Sequence, residues 1–366
     1  MYTTELAALA AMSNKYGADP AYVLAGGGNT SFKSDKNLWV KGSGTSLATI
    51  KAEDFVVLER AKLDNMWNVS YPEEEKAREA AVLADMMAAR VEGETRRPSV
   101  ETLLHNLFPQ TYILHVHPAM VNGLTCSKEG KNAMLKLFPH AVWVDACKPG
   151  YILALECKTM MDAYKAENGK DVDLLFLENH GIFFAGNTVE EVDALAKHVM
   201  DGLEAVIRRH PDLSAANVDA AKASEVCTKL ATLYGAGNPG YCVFTSNKEI
   251  LSYDPATKSL SPDHIVYAKA KQLAVCSKCD LEKAFADFEA ENGYKPKIIF
   301  YKDLGMFSCG NNENEAKTAG IVMLDAIKVV AYAESFGGVS PMPEFLIDFI
   351  VNWEVESYRS KVSLSK

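Results

Sequence analysis

The chain has 366 residues, 48% hydrophobic and 23% charged, enough to bury a sizeable core and more than one average domain. Thirty-eight basic against forty-eight acidic residues leave a formal charge of −10, which argues against a broad nucleic-acid surface but allows a local anion pocket. No apolar run approaches the roughly 18 residues of a membrane span, the N-terminus lacks a secretory signal pattern, and eight cysteines without a framework read as reduced thiols, so a cytoplasmic protein is expected.

Taken in chain order, Leu6, Leu9 and Ala10 recur at helical spacing and predict a helix over Thr4 to Tyr16. Ala25-Gly26-Gly27-Gly28-Asn29-Thr30-Ser31 reads as a glycine turn, followed by a strand over Asn37–Lys41 and a second turn, Gly42-Ser43-Gly44-Thr45. Phe55–Leu58 predicts a strand, and Pro72–Val91 a helix with proline and acidic residues at its start. Ser99-Val100-Glu101 opens a helix to about Phe108, and Tyr112–Val116 is a buried strand. A helix around Lys131–Phe138 and short strands at Ala141–Val144 and Leu174–Leu177 follow. Thr188 and Glu191 form a capping box for a helix reaching about Arg208. The alternation predicts a mixed α/β layer structure.

His210–Ala223 reads as a connection, and Gly235–Gly240 is rich in turn residues. Beyond them the chain echoes itself: Leu175–Phe183 aligns without gaps with Ile299–Phe307, and the capping box recurs as Asn312 and Glu315. A duplicated supersecondary unit is expected, dividing the chain into lobes of residues 1–215 and 225–366. Because His180 becomes Leu304 in the second copy, that lobe is expected to lack chemistry.

Three features between Gly26 and His180 carry that chemistry. His115 and His117 stand at the end of an apolar strand, where i and i+2 share a face and both imidazoles can reach one ion. His180, between Asn179 and Gly181, completes a three-histidine set that leaves one coordination position open, the pattern of a catalytic zinc. Glu101, fourteen residues before His115, can reach the same site as a proton-transfer group, while His105, four residues later on the same helical face, either supports that site or packs, and packing is favoured. The two glycine turns, with Gly28, Asn29, Ser31, Lys41, Ser43 and Gly44, and Ser99 at a helix start, offer N–H groups, hydroxyls and one cation for a terminal phosphate. Neither turn matches a P-loop or dinucleotide fingerprint. Cys276-x-x-Cys279 has zinc or redox spacing but no second pair, and reads as incidental.

Gly28-Asn29-x-Ser31, Ser43-Gly44, Ser99-x-Glu101, His115-x-His117 and Asn179-His180-Gly181 occur in the order found in the class II aldolase/adducin family, which residues 1–210 resemble. The wording is most similar to the aldolase portion of bifunctional rhamnulose-1-phosphate aldolase/lactaldehyde dehydrogenase proteins, through Gly26–Ser31, Leu38–Gly44, Lys148-Pro149-Gly150 and Leu260–His264. The resemblance implies a three-layer α/β/α sandwich, to which the internal echo adds a second related lobe lacking the metal site. It also implies zinc on His115, His117 and His180, with Glu101 as acid/base and Gly28, Asn29, Ser43, Gly44 and Ser99 on the phosphate. Val100 departs from the family's Ser-Ser-Glu wording and removes one phosphate donor. Nothing after Ala223 carries a dinucleotide fingerprint, so hydride chemistry is expected of another protein.

The expected activity is retro-aldol cleavage of a ketose 1-phosphate, L-rhamnulose 1-phosphate for preference, by a homo-oligomer whose partner is a small phosphorylated sugar. A sugar-phosphate 4-epimerase, dehydratase or decarboxylase would share the zinc-stabilised step, and an adducin-like binding protein would use none of it. Retention of all three histidines and Glu101 favours the enzyme.

Overall fold

The computed structural model describes residues 2–235 and 239–353; the middle of the predicted Gly235–Gly240 turn and everything from 354 onward lie outside the described residues. The chain divides into two compact units, one of Met1–Thr125 with Gly130–Val206 and one of Cys126–Glu129 with Ile207–Lys366. Among the described residues no helix is long and apolar enough to cross a membrane.

The first unit runs α1 (Thr3–Gly17), β1 (Asn29–Lys33), β2 (Asn37–Lys41), β3 (Phe55–Glu59), α2 (Arg60–Asn65), α3 (Glu75–Ala88), α4 (Thr102–Leu107), β4 (Tyr112–Val116), α5 (Ala119–Thr125), α6 (Gly130–Leu137), β5 (Val142–Val144), α7 (Tyr151–Asn168), β6 (Leu174–Leu177), β7 (Gly181–Gly186) and α8 (Val189–Glu204). Its strands form one seven-stranded sheet in the order β3-β2-β1-β4-β7-β6-β5. Only β5 and β6 run parallel; the other neighbours are antiparallel. Alternation along the strands fills two layers. Val40, Val56, Ile113, Leu175 and Phe183 meet Val82 and Met86 of α3, Leu104 of α4 and Leu153 of α7 on one face. On the other, Phe138 stacks on Phe176, and Tyr16 of α1 donates its hydroxyl to Asp193 of α8. This is the three-layer α/β/α arrangement.

One expected turn is a strand. Asn29, Thr30 and Ser31 belong to β1 and pair with His115, Leu114 and Ile113, so their backbone is tied into the sheet rather than turned outward. The turn proper ends at Gly28, whose φ of 66° suits glycine and whose added Cβ would lie 2.8 Å from the His115 carbonyl oxygen.

The second unit contains α9 (Ala220–Tyr234), β8 (Tyr241–Thr245), α10 (Lys248–Ser252), α11 (Pro262–Ala268), β9 (Leu273–Val275), α12 (Leu281–Asn292), β10 (Ile298–Tyr301), β11 (Gly305–Gly310), α13 (Glu313–Ala333) and α14 (Glu344–Asn352). Helix α9 thus begins inside the segment read as a connection. The sheet order is β8-β11-β10-β9, and again only the β9–β10 pair is parallel. Val226, Leu230 and Phe285 cover one face, Ala319, Met323 and Ile327 the other.

The echo seen in the sequence is an echo in structure. β6 and β7 correspond residue for residue to β10 and β11. Asn179 and Asp303 both take positive φ, 55° and 66°, at the same point of the turn, where short polar side chains tolerate the left-handed region. Thr188 and Asn312 cap the following helices by accepting from the N–H groups of Glu191 and Glu315. Each glutamate in turn accepts from the backbone N–H of the residue before the cap, Asn187 or Asn311, so the reciprocal bond of the expected capping box falls one residue earlier.

Strand register extends the correspondence. Tyr112 of β4 faces Gly186 as Tyr241 of β8 faces Gly310, and His115 faces Phe183 as Phe244 faces Phe307. The positions of His115, His117 and His180 are therefore occupied by Phe244, Ser246 and Leu304. Ser246 donates its hydroxyl to the Leu304 carbonyl at 2.7 Å, and Phe244 lies 4.9 Å from Phe307. The second unit keeps the framework of the first and carries no imidazole at any of the three positions.

Candidate metal and acid–base centre

His115 is fully buried in β4, His117 follows the strand end, and His180 sits in the β6–β7 turn. One ligand nitrogen from each lies within 4.8 Å of the other two. That turn requires a small residue after His180, because a Cβ on Gly181 would meet His117 Cδ2 and the Val116 carbonyl oxygen, each at 2.6 Å. His115 stacks on Phe183 with ring centroids 4.0 Å apart, and its Nδ1–H donates to the Ile182 carbonyl at 2.9 Å. That bond selects the tautomer whose Nε2 lone pair faces the cluster, as metal-binding imidazoles are commonly oriented.

Glu101 immediately precedes α4, and its side chain is 12% exposed. Its Oε1 lies 3.3 Å from His115 Nε2 and 3.4 Å from His180 Nε2. Burial alone would raise this carboxyl, but the imidazoles of His115, His180 and His117 outweigh it and hold the group well below the usual carboxylate range. Three imidazole nitrogens beside a carboxylate oxygen suit a divalent cation of borderline softness, and a three-histidine set leaves room for a further ligand.

A polar relay behind Glu101 escaped the sequence reading. The Ser31 hydroxyl donates to His105 Nδ1 at 2.7 Å, His105 Nε2–H donates to Asn29 Oδ1, and Asn29 Nδ2 donates to Glu101 Oε2 at 2.5 Å. Burial, above all, depresses the His105 imidazole well below its ordinary value, with His115 and Lys33 adding to the effect and Glu101 opposing it. A neutral His105 protonated on Nε2 satisfies both of its bonds. His105 is thus more than packing: it orients Asn29, which orients the carboxylate. The only sequence signal was its place one helical turn after Glu101.

The relay bears on the expected anion site. Ser31 is fully buried and its hydroxyl serves His105, which removes it from any surface a phosphate could reach. Asn29 uses both ends of its amide on His105 and Glu101. In the second loop, the Ser43 N–H donates to the Arg97 carbonyl at 2.8 Å and the Ser99 N–H to the Lys41 carbonyl at 3.0 Å, so these backbone donors are engaged within the loops themselves. What the segments do share is proximity to Glu101. The Glu101 N–H donates to Ser99 Oγ at 3.2 Å, Gly42 bridges to Pro98, and Lys41 Nζ reaches the Gly26 carbonyl at 3.3 Å. Gly28, Lys41, Ser43, Gly44 and Ser99 remain grouped around two interlinked loops that lead directly to Asn29 and Glu101.

The depressed imidazole has a consequence for stability. Below the unfolded pKa of about 6.5 an unfolded chain protonates His105 while the folded chain does not, so this residue lowers stability as pH falls from there towards its folded pKa. His105→Gln keeps a donor for Asn29 and cannot titrate. Urea unfolding of the two proteins between pH 7 and 5 should show the variant taking up about one fewer proton on unfolding; equal pH slopes would mean that His105 does not carry the effect.

Comparison with known proteins gives two family matches along the chain. Residues 7–207 match the class II aldolase and adducin N-terminal domain, and residues 288–359 match the second domain of class II aldolase. A Bacillus subtilis protein described as the uncharacterized oxidoreductase YuxG is 25% identical over 95% of this chain, and the chain spans 57% of that relative's length. Among solved structures, the N-terminal class II aldolase domain of a Thermoplasma acidophilum protein is 26% identical, covering 55% of this chain and 92% of its own, with a TM-score of 0.48. L-fuculose-1-phosphate aldolase from Thermus thermophilus is 14% identical, covering 54% and 92%, with a TM-score of 0.34. Since the first of the two matched segments takes in more than half of its residues, the chain belongs to the class II aldolase and adducin family.

Proposed function

We propose that the protein is a zinc-dependent lyase that cleaves a ketose 1-phosphate, L-rhamnulose 1-phosphate in the first instance, to dihydroxyacetone phosphate and lactaldehyde. The supporting observation is the grouping of His115, His117 and His180, with Oε1 of a relay-held Glu101 lying 3.3 Å from His115 Nε2 and 3.4 Å from His180 Nε2. We assign the chemistry to residues 1–215 and none to 225–366, where Phe244, Ser246 and Leu304 replace the imidazoles.

A zinc ion held by the three imidazoles would supply Lewis-acid stabilisation of the charge left when the C3–C4 bond breaks. Glu101 exchanges the proton at C3 and is kept ready as a carboxylate by its imidazole neighbours. Asn29, braced by His105, fixes which carboxylate oxygen faces the substrate and which is held back. Lys41 and the hydroxyls of Ser43 and Ser99 hold the phosphate, with Gly28 and Gly44 letting the chain approach closely. The active form in this reading is a homo-oligomer working on a small phosphorylated sugar.

A panel of ketose 1-phosphates and pentulose 5-phosphates, assayed for released dihydroxyacetone phosphate alongside the metal content of the purified chain, tests the reading. Cleavage with about one zinc per chain is expected. Isomer formation without cleavage would make the protein a 4-epimerase instead, and inactivity of fully metal-loaded protein on the whole panel would remove the lyase assignment.

A further inference from the structure

Cys276 and Cys279 lie outside the chemistry assigned above, and the structure treats them unlike every other cysteine in the chain. They are joined in a disulfide, whereas the other six are free thiols. The spacing was expected to be incidental, whereas the structure places these two sulfurs within bonding reach. The local reason is a turn: β9 ends at Val275, and the Cys279 N–H donates to the Cys276 carbonyl at 3.0 Å, bringing the two Cα atoms to 5.2 Å, within bridging range. Asp280 then caps α12 by accepting from the N–H groups of Glu282 and Lys283. The strand end, the turn bond and the cap hold this backbone by hydrogen bonds that do not involve sulfur.

Exposure separates the pair from the rest. Both cysteines are exposed, while Cys126, Cys157 and Cys309 are buried and Cys147, Cys227 and Cys242 are half-buried. Burial pushes the Cys147 thiol up to about 12 and the Cys157 thiol well above its ordinary value, leaving both as poor nucleophiles. Cys276 and Cys279 also line a cavity of about 480 Å³ in the second unit. Tyr253, Phe300 and Tyr301 supply apolar wall, and Lys302 and Asp303 belong to the β10–β11 turn that corresponds to the His180 turn of the first unit.

We propose that Cys276 and Cys279 form a reversible dithiol–disulfide site on the wall of this cavity, open to exchange with small dithiols and, once reduced, to capture of thiophilic ligands. A dithiol reductant opens the site when its thiolate attacks one protein sulfur and displaces the other. Its second thiol then resolves the mixed disulfide. The net change transfers two electrons and two protons, giving two protein thiols and a cyclic disulfide of the reductant. The opened pair chelates trivalent arsenic: phenylarsine oxide forms two As–S bonds and releases one water.

The test uses the full native chain equilibrated in mixtures of reduced and oxidised dithiothreitol, trapped with a maleimide mass tag and mapped by peptide mass spectrometry. One two-electron transition is expected, with Cys276 and Cys279 becoming taggable together while the other six stay untagged. Phenylarsine oxide should bind one equivalent per chain of reduced protein and none of oxidised protein, and Cys276→Ser or Cys279→Ser should each abolish that binding. Circular dichroism of the two variants serves to exclude unfolding. Three results would overturn the proposal: no linked 276–279 peptide at the oxidising end, independent tagging of the two residues, or arsenical binding that survives either substitution in a folded protein.

Discussion

Glu101→Gln is expected to reduce cleavage of the best ketose 1-phosphate by about 10²–10⁴-fold, the range that a positioned acid–base group contributes. The amide has nearly the shape of the carboxylate and can still meet Asn29, whose Nδ2 lies 2.5 Å from Oε2. It cannot take or return a proton at C3. The loss should fall on kcat, and exchange of solvent deuterium into dihydroxyacetone phosphate should stop. Metal content should stay near that of the parent, since three imidazoles remain. Exchange at the parent rate in the variant would remove Glu101 from the role given to it. The comparison must be made at a pH where the parent carboxylate is ionised, a wide window because His115, His180 and His117 overcome the effect of burial and hold it well below the usual range.

His180→Leu is expected to have the second large effect, and the protein itself suggests the substitution. Leu304 occupies the same place in the second unit, in a turn whose preceding residue has the same left-handed backbone, and it is 6% exposed there. The change should therefore be tolerated by the fold. Metal affinity should fall by more than the roughly 10–100-fold that loss of an outer-shell partner costs, because a direct donor is gone, and cleavage should fall with it. Dialysis against a chelator followed by metal analysis and a thermal melt separates the two effects. Parent-like metal retention would place the ion elsewhere or remove it from the reading.

The residues most legible in the sequence were those whose local pattern and tertiary role coincide. Strand β2 was read at its observed limits, and β4 and β6 likewise, because short apolar runs mark strands buried on both faces. Both N-caps were legible because a side-chain acceptor three residues before a glutamate is a local, backbone-determined signal. The three histidines grouped from spacing are grouped in the structure.

Strand β1 was misread for the opposite reason. Its Asn29-Thr30-Ser31 looks like turn composition, yet all three side chains are buried. Thr30 bonds Ser13 of α1 at 2.7 Å, Ser31 bonds His105 of α4, and Asn29 bonds both His105 and Glu101. A buried polar strand is stable only when helices from elsewhere in the chain satisfy it, and composition cannot report partners 17 to 76 residues away. The same limit applies to Ser31 and Asn29: spacing shows that a hydroxyl or amide is present, not which neighbour already bonds it.

The chain length exceeds one average domain, and the internal echo pointed to two related lobes. By itself the sequence determined the α/β character, the His-x-His strand, the His180 turn and the absence of histidine at Leu304, all matters of residues close together in the chain. Only the tertiary structure decided that β8 stands to β11 as β4 stands to β7, and hence that Phe244 and Ser246 replace His115 and His117. That correspondence runs at a different sequence offset from the rest of the repeat, so no gapless alignment could display it. Strand register is a pairing between distant segments, set by hydrogen bonds and side-chain packing across the sheet, and it exists only once the chain has folded.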